Sequence, residues 1–126
     1  MPVTSKKPTL IKSKGILSKA LGKRVEIVID GVSDNLAVRE LNTSERMKFA
    51  ERFKEAKGDV HAVSELNAWV IALCLLKDGV PAYDTESSED IREILESPNS
   101  VQNLILEAIY SASGLTKTAA EDAEKN

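Results

Sequence analysis

His61 and Glu65 stand four residues apart in a stretch of helical periodicity. At that spacing two side chains on one helix face can share a metal ion. His61 is the single histidine of the chain, however, and no second ligand cluster follows it. The pair therefore reads as an exposed helix face. A second set is acidic: Glu86, Glu89, Asp90, Glu93 and Glu96. Paired carboxylates can divide general acid and base work when a cleft raises the pKa of one of them. Here they fall at a helix start and along its outer face, where negative charge complements the dipole and keeps the surface wet. Cys74 is the one cysteine. Alone it excludes an intrachain disulfide and a Cys-based metal cluster. Its neighbours Leu73 and Leu75 make it a small core residue rather than a reactive thiol. The glycines are scattered, with no GxGxxG or GxxxxGK run, and no Ser/His/Asp set is legible. The residues thus predict no catalytic centre, no metal site and no cofactor.

Charge is distributed unevenly. Residues 1–24 carry seven basic residues (Lys6, Lys7, Lys12, Lys14, Lys19, Lys23 and Arg24) and no acid. The remainder holds ten basic against twenty acidic residues, so a basic arm precedes an acidic body. Such an arm can contact phosphate backbones. It lacks aromatic residues for stacking, and the acidic body repels nucleic acid. A solvated arm that orders on meeting a protein partner is the simpler reading.

The elements that would position these residues follow from periodicity. Leu10, Ile11, Ile16, Leu17, Ala20 and Leu21 recur at roughly helical spacing, interrupted by Gly15 and stopped by Gly22. In Arg24–Asp30, Val25, Ile27 and Ile29 alternate with polar residues, predicting a strand. Asp30-Gly31 opens a turn, and Leu36–Leu41 reads as the returning strand. Asn42-Thr43-Ser44-Glu45 has the form of a capping box. It starts a helix with Met47, Phe49, Ala50 and Phe53 inward and Gly58 at its end. Asp59 caps the next helix, expected over 60–77, with Val60, Val63, Leu66, Trp69, Val70 and Leu73 on one face. Ala68–Leu76 is apolar nearly all round, which implies burial on several sides. The single tryptophan, Trp69, belongs with that core. Lys77-Asp78-Gly79 is a turn signal, and Val80–Tyr83 an extended link. A third helix begins at Ser87-Ser88-Glu89-Asp90, with Ile91, Ile94 and Leu95 inward, and breaks at Ser97-Pro98. Pro98 suits the first turn of a fourth, striped by Val101, Leu104, Ile105, Ala108, Ile109 and Ala112 and stopped at Gly114.

A chain of 126 residues with 42% hydrophobic and 4% aromatic content is long enough for one aliphatic core. Scaling laws bury roughly 67% of the unfolded surface at this size. The expected fold is α+β, mainly α: an N-terminal β-hairpin followed by four helices around that core. The expected organisation is a basic flexible arm with a weak amphipathic helix (residues 1–22), one globular domain (residues 23–115) and a disordered tail (residues 116–126). No apolar run approaches the length of a membrane span, and no secretory signal is visible. Cysteine usage suits a reducing compartment such as a bacterial cytoplasm.

Taken in order, the strand with Lys23-Arg24-Val25, the strand ending Val38-Arg39-Glu40-Leu41, and the helix opening Asn42–Arg46 form a pattern. It continues through Ala68–Leu76, Lys77-Asp78-Gly79-Val80-Pro81-Ala82-Tyr83 and a final helix ending Ser113-Gly114-Leu115. Over about residues 23–115 this resembles the tail assembly chaperones of lambdoid long-tailed bacteriophages, in particular their short, non-frameshifted form. The resemblance implies a non-enzymatic protein that binds the tape measure protein and promotes assembly of tail tube subunits around it. It implies a host-cytoplasmic location and absence from the mature virion. It also implies a longer frameshifted product able to meet the tail tube protein. Glu124-Lys125-Asn126 can be encoded by an adenine run ending in AAC, which suits such a slip. The expected partner contacts are Leu10, Ile11, Ile16, Leu17 and Leu21, a stripe too interrupted for core, with self-association along a rod-like client. The alternative function is a small nucleic-acid-binding or regulatory protein using the basic arm.

Overall fold

The structure, a computed structural model, describes residues 15–115 of the 126. The expected tail (residues 116–126) and most of the expected arm, including Leu10 and Ile11, lie outside the described residues. A helical stretch, α1, covers residues 15–18. The order is then β1 (Arg24–Ile27), β2 (Leu36–Arg39), α2 (Thr43–Ala56), α3 (Val60–Cys74), β3 (Leu75–Lys77), β4 (Val80–Pro81), α4 (Ser88–Glu96) and α5 (Asn99–Ala112). The protein is therefore mixed α/β. Its four strands form one antiparallel sheet in the order β1-β2-β3-β4.

Capping chemistry sets the helix starts. The Asn42 side chain accepts from the Glu45 N–H, and the Glu45 carboxylate accepts from the Asn42 N–H. Asp59 caps α3 and Ser87 caps α4 with the side-chain bond alone, accepting from the Ala62 and Asp90 N–H groups. Gly58 and Gly114 close α2 and α5 at φ 88° and 75°.

The expected helix over 60–77 needs correction. It stops at Cys74, and Leu75 is already extended at φ −76°, ψ 126°. Asp78 and Gly79 then take φ 52° and 83°, which makes a two-residue hairpin between β3 and β4. Positive φ at both central residues matches the twist of the strands, and Asp-Gly tolerates it. The segment expected as a link at Val80–Tyr83 thus contributes a strand. Two strands are additional to the expected hairpin and four helices, and α1 falls within the arm (residues 1–22) expected to carry a weak amphipathic helix.

One core lies between the sheet and the helices. The register places Val25, Ile27, Leu36, Val38 and Leu75 on one sheet face, against which α5 packs. Helix α3 touches α2, α4 and α5, so its all-round apolar half is buried where expected. Ile71, Ile109, Val38 and Val70 are essentially solvent-free. Each such side chain contributes about 1.5–3 kcal/mol relative to exposure.

Several inward assignments shift. Met47 is 67% and Val60 78% exposed, because α2 meets its neighbours through Phe49, Phe53 and Ala56 and Val60 is the first residue of α3, at its exposed end. Leu104 faces outward enough to be 41% exposed, while Leu106, absent from the expected stripe, is buried. Leu41, just past β2, is buried, and its N–H donates to Ser113 Oγ at 3.0 Å. Ser113 Oγ in turn donates to the Ile109 carbonyl at 2.7 Å. This pair ties the sheet to the end of α5.

Candidate functional site

A groove of about 580 Å³ opens where the β1–β2 loop faces α4 and α5. Its floor is core: Leu36 from β2, Ile71 from α3, Leu75 from β3, Ile94 from α4 and Ile105 from α5. Ile29 and Val32 line it from the loop, and Pro98 and Val101 from the start of α5. Val32 is 41% exposed, so apolar surface reaches solvent at the mouth. The loop holds this side open through Gly31 at φ 86° and a Val32 N–H to Ile29 carbonyl bond of 3.0 Å.

The rim is acidic. Asp30 and Asp34 come from the loop, Asp90 and Glu93 from α4, and Lys77 is the single lysine among the lining residues. Lys77 Nζ sits 3.5 Å from Asp34 Oδ2. Asp90 accepts the Asp84 N–H at 2.8 Å, which fixes the loop before α4. Tyr83 donates its hydroxyl to Glu93. Burial first, then that hydrogen bond, push the Tyr83 hydroxyl up to about 12, so it remains a neutral donor in physiological buffers. Apolar floor, carboxylate rim and open mouth together suit an amphipathic segment with basic flanks.

Behind the floor, Arg39 presents its fork to Glu45, with Nη1–Oε1 and Nη2–Oε2 both 2.8 Å. This bond holds the Glu45 carboxyl below its ordinary value. It clamps the end of β2 to the start of α2. Burial pushes the Cys74 thiol up to about 12, which leaves it protonated and inert. On the far side of α3, the Trp69 ring receives Arg52 at 4.8 Å and Lys48 at 5.9 Å from its centroid. Trp69 is thus half-buried under cations of α2 rather than enclosed in the core.

The residues singled out from sequence do not converge. Ile16, Leu17 and Leu21 are 64%, 84% and 82% exposed on and after α1. Leu10 and Ile11 lie outside the described residues. His61 and Glu65 are both exposed on α3. Glu86, Glu89 and Glu96 are exposed at or near α4, whereas Asp90 and Glu93 turn to the groove. Among the described residues no group of three or more His, Cys, Asp or Glu side chains is placed to hold a metal ion. No described helix is long and apolar enough to cross a membrane.

The groove itself was missed because four separate segments build it: 29–36, 71–83, 90–98 and 101–105. Each of its apolar residues reads locally as core. The available signal was Asp78-Gly79: read as a hairpin, it marks Leu75–Lys77 as a strand, and that strand pairs with β2, with Lys77 opposite Leu36 and Leu75 opposite Val38. Compared with models of known families, with curated proteins and with solved structures, the chain matches none.

Proposed function

We propose that this chain is a non-enzymatic tail assembly chaperone of the long-tailed phage kind, whose client is the tape measure protein. The groove carries this reading. A tape measure protein is long, helical and apolar, and an apolar trough rimmed by Asp30, Asp34, Asp90 and Glu93 accepts one amphipathic helix with lysine or arginine on its flanks. The exposed Ile16, Leu17 and Leu21, with Leu10 and Ile11 preceding them in the sequence, are the further contacts proposed outside the groove. In this role the protein acts in the host cytoplasm and leaves before the virion is complete. A longer frameshifted form would bring the tail tube protein to the loaded client.

Co-expression tests the proposal. The wild-type chain should keep the tape measure protein of the same genome soluble. Val32→Asp places a charge at the groove mouth, on a side chain already 41% exposed, and should return the client to the insoluble fraction. A client equally soluble with and without the wild-type chain would overturn the reading. Binding of duplex or single-stranded DNA that weakens steeply as salt rises would favour the nucleic-acid alternative instead.

A further inference from the structure

We propose that β1 is a self-pairing edge: two copies of this chain join β1 to β1 antiparallel, with Arg24 of each opposite Glu26 of the other, into one continuous sheet. Among the described residues the strand order leaves β1 and β4 at the edges. β4 is only two residues long and contains Pro81, which has no N–H to offer. β1 runs Arg24-Val25-Glu26-Ile27 with neither proline nor glycine, and its first three residues are exposed.

The backbone directions are fixed by the neighbour. Glu40 N–H donates to the Lys23 carbonyl at 3.0 Å, in the same register that pairs Val25 with Val38 and Ile27 with Leu36. In an antiparallel ladder alternate residues exchange hydrogen bonds. Lys23, Val25 and Ile27 therefore face β2, and the N–H and C=O of Arg24 and Glu26 face outward. Those are the groups that a further strand would bond.

Side-chain charge selects the occupant and the register. An edge bearing like charges repels a copy of itself, which is the usual protection. This edge alternates Arg24 and Glu26 on the outer sheet face. With Val25 on the two-fold axis, Arg24 meets Glu26 of the second copy twice over. Sliding the strands by two residues either way sets Arg24 against Arg24 or Glu26 against Glu26. A one-residue slide would exchange inner and outer faces. The chosen register also sets the exposed Val28 opposite Gly22, which offers no side chain to clash. This inference does not rest on the chaperone reading.

The test needs no client: analytical ultracentrifugation of the full chain across concentration. Arg24→Glu and Glu26→Arg should each weaken the dimer by roughly tenfold, since each puts two like-charge pairs across the axis. The double variant R24E/E26R should restore it. Both side chains are exposed, so circular dichroism should show the monomer fold unchanged. Val25→Cys gives a second readout, because the axis brings the two new thiols together. Oxidised glutathione should then link them into a covalent dimer, while buried Cys74 stays free. A monomer at every concentration, or reversals that leave the dimer intact, or a double variant that fails to rescue it, would overturn the proposal.

Discussion

Ser113 and Glu45 show how single polar atoms hold this small domain together. Ser113 Oγ accepts from the buried Leu41 N–H and donates to the Ile109 carbonyl, so both hydrogen-bonding roles of the hydroxyl are used. Ser113→Ala leaves the Leu41 N–H without that acceptor. It should cost about 1–3 kcal/mol in urea unfolding, with the slope unchanged. Glu45 closes the capping box and takes the Arg39 fork, so its folded pKa lies below the ordinary 4.5. A depressed carboxylate stabilises above its unfolded pKa and loses that contribution as pH falls through the folded value. Stability should therefore drop below about pH 4.5 in wild type, and the drop should be shallower in Glu45→Gln. At neutral pH that variant should be less stable by about 1–2 kcal/mol, since it loses the charge-assisted fork. Thermal unfolding followed at pH 7 and pH 3 measures both effects.

At the level of elements, the β3–β4 hairpin is where local signals and the final fold diverge. Nine apolar residues in succession, Ala68–Leu76, carry no periodicity that marks where helix becomes strand. Only the Asp-Gly turn after them does, because it requires φ of 52° and 83°. Gly79→Ala should cost about 1–2 kcal/mol through the left-handed backbone alone. Gly79→Asn should cost less, since asparagine tolerates that region. Denaturant midpoints of the two variants separate turn geometry from packing. The helix starts were legible for the opposite reason: Asn42, Asp59 and Ser87 each accept from the N–H three residues onward, a wholly local act. Inward faces were less legible. Met47 and Leu104 match helical periodicity but lie beyond the reach of the neighbouring elements, which only tertiary packing decides.

For the whole molecule, the sequence marks an acidic body and an aliphatic core but not the groove that joins them. The groove exists because α4 and α5 approach the β1–β2 loop without closing on it, leaving Val32 and Val101 at an open mouth. Its carboxylates come from segments sixty residues apart in order of magnitude, so no local motif announces them. Two surfaces then have separate work in this account. The groove is proposed to take an amphipathic client and the β1 edge to join copies, so a paired assembly would offer two grooves to one long partner.

The most direct measurement is backbone amide NMR of the full chain, titrated with a basic amphipathic peptide from the tape measure protein. The account predicts shifts concentrated at Val32, Glu93, Ile94 and Val101 around the groove, weakened by Asp30→Lys at the rim. Shifts confined to residues 1–22, with the groove amides unmoved at saturation, would contradict it.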